Sequence, residues 1–298
     1  SGKKYFNIQN NIINNGTIII DNDGSIVQIN ETDANSGTYT GTSFQVKRIT
    51  KVKHLDYVYW SAPIENFAVS TLPNNNRFYW NPIANNANGS QGNFIAASGV
   101  MEKGRGYIAR ISNGSPATPI NTPVTFQGGK PNNGVFTYPI ARGSTLSTDD
   151  CWNLVGNPYP SAIDADAFLD ENTAIEGSVR VWKHGILPGA NGNPFYENFQ
   201  YTYSENDYLL YNATGSSEPS TFNGKIASGQ GFFVRMLEAG ETDTTLPTNT
   251  TTSGNATITF KNSYRRTKTG GNLDNSQFYK SNSNQNSVEK SRIWLDLI

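Results

Sequence analysis

The chain has 298 residues with 23 basic and 24 acidic side chains, a formal net charge of −1, so it offers no basic face for nucleic acid. No apolar run approaches the roughly 20 residues that span a bilayer, which argues against membrane insertion. A single cysteine, Cys151, excludes an intrachain disulfide and a Cys-built metal cluster. Charged residues make up 16% of the chain against a usual figure of about 25%, and 38 Asn and 28 Gly carry the solubility instead. With 12% aromatic residues to supply burial, that composition points to β-strands joined by tight turns.

From the N-terminus, short β-branched runs at 12–20, 25–30 and 44–49 alternate with Asn-Gly and Asp-Gly turns. This texture fits a hairpin series or the rungs of a parallel β-solenoid, and stacked Asn at the corners favours rungs. Residues 1–50 are therefore assigned to a solenoid-like or hairpin segment, 51–145 to a first module and 146–298 to a second, truncated at its end. The fold class expected is all-β, with two related β-sandwich (jelly-roll-like) modules. One helix of about two turns is expected over Ser161–Leu169, where a hydroxyl or carboxylate precedes an Ala-rich turn. The polar stretch from Thr267 to Lys290 reads as a long mobile loop. The apolar strand Arg292–Ile298 then stops without a turn, as in a piece cut from a longer protein.

The two modules follow from an internal repeat. Tyr57–Pro63, Arg77–Trp80, Gly104–Ile111 and Pro123–Phe126 recur in order as Cys151–Pro158, Val179–Trp182, Gly229–Met236 and Ala256–Phe260. The offsets grow from 95 (Pro63 to Pro158) through 102 (Trp80 to Trp182) and 125 (Gly104 to Gly229) to 134 (Phe126 to Phe260), so the loops are longer in the second copy. Trp60 with Trp152 and Trp80 with Trp182 are expected as core anchors of both copies. Gly104 and Gly106, like Gly229 and Gly231, lack a dinucleotide fingerprint's third glycine and following helix, so they read as a tight turn before a core strand.

The groups for catalysis are sparse. His54 and His184 lie far apart in no recognised motif, and no nucleophile elbow, H-E-x-x-H or phosphate loop is present. Asp21–Ser25 begins like a calcium loop, but Ile26 and Thr32 stand where glycine and glutamate are needed, so it reads as a β-turn. Asp164, Asp166 and Asp170, with Asp149 and Asp150 nearby, read as a helix cap and a solvated face rather than a metal site. Cys151 reads as a small buried hydrophobe. No catalytic residue, metal or cofactor is assigned. The aromatic cluster Phe195, Tyr196, Phe199, Tyr201 and Tyr203 has no counterpart in the first copy, so it is where a binding surface has most plainly been added.

The run Cys151-Trp152-Asn153-Leu154-Val155-Gly156-Asn157-Pro158-Tyr159-Pro160-Ser161-Ala162-Ile163-Asp164, with Ile226–Val234 and the upstream strands, resembles large cell-surface proteins of Bacteroidetes such as flavobacteria. The resemblance covers most of the chain and implies an extracellular, adhesin-like, non-enzymatic protein exported by the type IX secretion system. Its implied partners are surface glycans, other cell-surface proteins and components of the secretion system. The alternatives are a carbohydrate-binding module, or part of a carbohydrate-active enzyme, and cargo bound to the translocon. Asp243-Thr244-Thr245 resembles the short O-glycosylation acceptor of that lineage.

Overall fold

The computed structural model describes residues 4–31, 37–87, 89–111, 118–144, 150–183, 207–219, 222–238 and 253–278, and the backbone of 189–190 and 201–202. The fold is all-β with one α-helix. Strands β1 (Tyr5–Ile8) and β2 (Ile12–Ile20) form a first rung, and β3 (Ser25–Gln28) and β4 (Tyr39–Val52) form a second. β1 pairs in parallel with β3 (Tyr5 with Ser25), and β2 in parallel with β4 (Ile12 with Tyr39). Parallel pairing is rung stacking, so the solenoid reading holds and the hairpin alternative does not. The Asp21–Gly24 segment between the rungs is the expected turn, closed by Gly24 N–H donating to Asp21 O at 2.8 Å.

β5 (Tyr57–Trp60), β6 (Arg77–Asn85), β7 (Gln91–Ala96) and β8 (Tyr107–Arg110) form a sheet in the order β5-β8-β6-β7. β9 (Ile120–Gln127) returns antiparallel to β4. The second half contributes β10 (Phe136–Arg142), β11 (Trp152–Gly156), β12 (Ile163–Asp164), α1 (Ala165–Glu171), β13 (Ser178–Trp182), β14 (Gly189–Ala190), β15 (Tyr201–Thr202), β16 (Tyr208–Asn212), β17 (Gly215–Ser216), β18 (Lys225–Ile226), β19 (Gly231–Arg235) and β20 (Gly254–Phe260). Its main sheet runs β11-β19-β13-β16-β17, and β10 pairs antiparallel with β20.

The strand registers superimpose the copies. Offsets of 95 and 125 carry the Trp60–Tyr107 pair onto Val155–Phe232 and the Tyr57–Arg110 pair onto Trp152–Arg235. β9 against β4 corresponds to β20 against β10, with Phe126 opposite Val46 and Phe260 opposite Phe136. By pairing, each copy therefore opens on β4 or β10, ahead of the residues 51 and 146 expected from the motifs alone.

Period-2 alternation explains how these strands stack into four layers. Val58, Trp60, Tyr107 and Ala109 face β4 and β9, in one apolar cluster with Val46 and Phe126. Val155, Val179, Phe232 and Val234 face β10, β20 and α1, in a second cluster with Ile140, Phe168 and Phe260. The opposite faces of the two main sheets meet each other. There Tyr57, Tyr59, Trp80 and Ile108 pack against Leu154, Trp182 and Phe233, so the copies share a middle core as well as holding one each. Tyr59 stacks on Trp182 at 5.6 Å between centroids, with the planes 6° apart, a contact of about 0.5–1.5 kcal/mol beyond burial.

Three expectations are corrected. Trp60 is fully buried, but its register partner in copy two is Val155; Trp152 corresponds to Tyr57, lies on the opposite face and is only half-buried, with Arg180 4.1 Å over its ring. A displacement by three residues in a strand reverses the face, which is why two aligned tryptophans do not occupy one site. The helix begins at Ala165, not Ser161, because Asp164 is the cap that accepts from Asp166 N–H at 3.1 Å. The first part of the expected mobile loop, Thr267–Phe278, is packed: Phe278 lies 5.1 Å from Trp60, and Asn275 accepts from Ser228 N–H at 2.8 Å. Its Asn and Ser content serves buried hydrogen bonds rather than solvation. Residues 279–290 and the strand expected at 292–298 lie outside the described residues.

Candidate functional site

The repeated motifs build the junction between the copies. Arg105 bridges to Val155, and Trp60 bridges to Gln230, the residue that corresponds to Arg105 in the other copy. Gly106 N–H donates to Leu154 O and Gly156 N–H to Gly104 O, both at 3.0 Å; reciprocally, Ser61 N–H donates to Gly229 O at 2.7 Å and Asn157 N–H to Gln230 O at 2.9 Å. Each copy's G-x-G turn is thus hydrogen-bonded to the other copy's Trp-to-Pro strand, about a pseudo-twofold axis. Gly104 (φ 86°) and Gly229 (φ 71°) supply the left-handed turn that was expected. Gly106, Gly156 and Gly231 are needed for a different reason: the facing backbone or Cβ occupies the space a side chain would take. Asn157 explains the polar residue in the Gly-Asn-Pro run, because its amide donates to Ser161 O, Ile226 O and Ala227 O while its oxygen accepts from Tyr159 N–H.

The aromatic candidates sit on an insertion in this frame. Copy one joins β6 to β7 through residues 86–90, whereas copy two takes residues 183–207 to join β13 to β16. The antiparallel pairs Gly189–Thr202 and Ala190–Tyr201 close the base of that excursion. Phe195, Tyr196, Phe199 and Tyr203 lie outside the described residues, and Tyr201 is placed by its backbone in β15. At the root of the insertion, Lys183 pairs with Glu218, and Tyr208 shares a 2.7 Å hydroxyl–hydroxyl bond with Tyr59 of the first copy.

A second location was not legible from the motifs. β4 starts at Tyr39, but β9 pairs with it only from Gln45 onward. There the chain turns away at Gly128 (φ 94°), and the turn at Asn66 (φ 57°) approaches from the other side, held by Glu65 N–H donating to Lys130 O at 2.9 Å. The cleft between them, about 490 Å³, is floored by Gly41–Gln45 and walled by Glu65, Asn66 and Gln127–Lys130. One carboxylate, one ammonium and several amides suit a neutral polar ligand. No His or Cys lines it, so it holds no nucleophile–base pair. The Gly128-Gly129 dipeptide was the one signal in the sequence.

The remaining candidates have structural partners. Asp164 pairs with Lys225 at 2.8 Å, Asp170 with Lys268 at 3.0 Å, and Asp166 accepts from the Tyr211 hydroxyl at 3.0 Å. Asp150 is buried, and Asp149 and His184 lie outside the described residues. Among the described residues, no three His, Cys, Asp or Glu side chains are grouped to hold a metal. Cys151 is buried, and burial pushes its thiol up, away from the reactive thiolate.

Two buried arginines, which sequence reading missed, tie the halves together. Arg48 donates to Asn22 O and to Asn275 O and lies 5.0 Å over Phe278. Arg265 donates to Ser161 Oγ at 2.7 Å, Asn133 Oδ1 at 3.0 Å, Asn262 Oδ1 at 3.1 Å and Ile26 O, above the Tyr159 ring. Burial pulls both guanidinium groups down to about 10 from 12.5. Burial also raises Tyr57 to about 12, and raises Tyr107, Tyr138, Tyr159, Tyr211 and Tyr264.

These shifts set an alkaline limit. An unfolded tyrosine ionises near pH 10 while the folded one stays protonated, so this stability is complete below pH 10 and is lost as pH rises through the folded values. For Tyr57 alone the loss is about 2–3 kcal/mol by pH 12. The two arginines act oppositely, because between about pH 10 and 12.5 the folded state releases protons that the unfolded state keeps. Six raised tyrosines outweigh two lowered arginines, so denaturant midpoints are expected to fall steadily above pH 10, with tyrosinate absorbance rising together with unfolding. Tyrosinate forming fully while the chain stays folded would contradict this.

Comparison with protein families matches residues 1–298 to a domain of unknown function, DUF8693. Neither a curated protein nor a solved structure matches the chain. Over its whole length, the chain belongs to the DUF8693 family.

Proposed function

We propose that this chain is a non-catalytic structural and adhesive module of an extracellular cell-surface protein exported by type IX secretion. The observation that carries the reading is how the repeat is used: its Trp, Gly-x-Gly and Gly-Asn-Pro residues join the two copies, while the copies differ in excursions such as 183–207. A rigid frame that presents variable loops is how many recognition scaffolds are built. Aromatic side chains in such a loop offer apolar faces and polar tips to a sugar ring or a partner surface. Surface glycans and other cell-surface proteins are the partners this reading predicts.

The test is a glycan array probed with the 298-residue chain and with a variant in which residues 195–203 are replaced by a short Gly-Ser linker. Retention of the parent on a subset of glycans, lost in the variant, is the expected result. Identical behaviour of the two proteins across the array removes the loop from the proposal. Binding that survives the replacement and fails with Glu65→Gln or Lys130→Ala instead places a carbohydrate-binding activity in the cleft beside β4.

A further inference from the structure

The first rung is an unfinished stack. On its inner side β1 and β2 are fully engaged with the second rung: Ser25 N–H donates to Lys4 O at 3.0 Å, Ile29 N–H to Ile8 O at 2.9 Å and Asn30 N–H to Gln9 O at 3.3 Å, beside the β2–β4 ladder. On the other side, among the described residues, no strand pairs with either. The apolar columns stop abruptly at the same place. Phe6 sits over Ile26, and Ile18 over Phe44; the second-rung members are each 2% exposed, whereas Phe6 is 39% exposed and Ile8 and Ile18 are only half-buried. A polar corner accompanies them, with Gln9 donating to Asn30 Oδ1 at 2.9 Å and Asn30 bonded to Asn10.

The edge also lacks the usual protections. β2 reads Ile-Ile-Asn-Asn-Gly-Thr-Ile-Ile-Ile, nine residues without a charge or a proline, and its Ile13 is 78% exposed. At the opposite edge of the same sheet, β9 carries Pro123. Long, uncharged, Ile-rich edges are normally shielded by charge, proline or a covering segment, and the end of a solenoid is normally capped.

We propose that the open edge of β1 and β2 receives one further parallel rung of the same pattern: a short apolar strand, an Asn corner and a long apolar strand, in polypeptide leading into Lys4. The existing interface sets its register. β1 stacks on β3 with a spacing of 20 residues, and β2 reaches β3 through the four-residue turn Asp21–Gly24, so a preceding rung arrives at β1 by the same geometry. A second copy of the chain fits less well. Two such edges related by a twofold axis pair antiparallel, which breaks the parallel columns and the Asn corner.

The test uses the full chain with residues 1–4 replaced by a copy of residues 5–24, against a control carrying the same twenty residues scrambled. The copied rung is expected to slow hydrogen exchange of the backbone amides of Ile12–Ile20 by about tenfold or more and to become protected itself, with the chain monomeric. The scrambled extension leaves β2 unchanged. Equal exchange in the two proteins overturns the proposal. So does an unextended chain that dimerises with β2 already protected and becomes monomeric on Thr17→Pro, which assigns the edge to a second copy.

Discussion

Gly106→Ala and Gly156→Ala are each expected to destabilise the fold by about 2–4 kcal/mol, a fall in Tm on the order of 5–15 °C for a chain of this size. A Cβ at Gly106 lies 2.6 Å from both Leu154 Cγ and the Val155 carbonyl oxygen, and at Gly156 it overlaps Ser61 Cβ and stands 2.8 Å from Ser61 Oγ. Neither collision is relieved by swinging away the far end of a flexible side chain. At Gly106 the obstacle is the partner strand's backbone, so relief requires separating the copies and losing the Gly106–Leu154 hydrogen bond. Gly231→Ala is expected to cost less, about 1 kcal/mol, because its nearest atoms, in Trp60, are at 3.1 and 3.2 Å. Gly128→Ala, in open space at φ 94°, carries backbone strain alone and separates conformational cost from collision. Urea unfolding of the four variants checks the order, and Ser61→Gly is expected to recover a large part of the Gly156→Ala loss in a double-mutant cycle. Equal effects at Gly106 and Gly128 would mean that the copies do not interlock through these glycines.

The second large effect is expected at Arg265. Arg265→Met fills similar volume but leaves acceptors on Ser161, Asn133, Asn262 and Ile26 without their donor, a loss of about 3–5 kcal/mol. Arg265→Lys keeps the charge and is expected to do no better than Met. One ammonium cannot reproduce the planar fork that reaches four oxygens on different segments, and it still bears the burial that already pulls the arginine down to about 10. The contact to Ile26 O belongs to the second rung, so both variants are expected to speed hydrogen exchange at Ser25–Gln28 before global unfolding. A lysine variant as stable as the parent would show that charge, rather than the fork, holds the rung against the second copy.

Much of this architecture is legible locally. The offsets of 95 and 125 between motifs are the same offsets that relate paired strands in the structure, because register is set by which residues alternate toward a core. The turn glycines at Gly104 and Gly229 and the Asp21–Gly24 turn are also readable, since they answer to backbone conformation over a few residues. Trp152 misleads because identity of residue type was weighed above its place in the two-residue period. Thr267–Phe278 misleads because buried Asn and Ser look the same in a sequence as solvated ones; only Gly24, Arg48 and Ser228, contacts distant in the chain, make Asn275 an interior residue. The cleft beside β4 was invisible for the same reason, since it exists only where β9 ends short of β4.

By itself, the sequence determined the all-β class, the duplicated strands and their turns, because alternation and φ preference are properties of neighbouring residues. The tertiary structure alone decided that each copy's Gly-x-Gly turn is held by the other copy's Trp-to-Pro strand, that Arg48 and Arg265 are interior, and that the first rung is left with an open edge. Those outcomes depend on which backbone oxygens and side-chain faces come within a few ångströms across separations of a hundred residues or more, and no local preference encodes that distance.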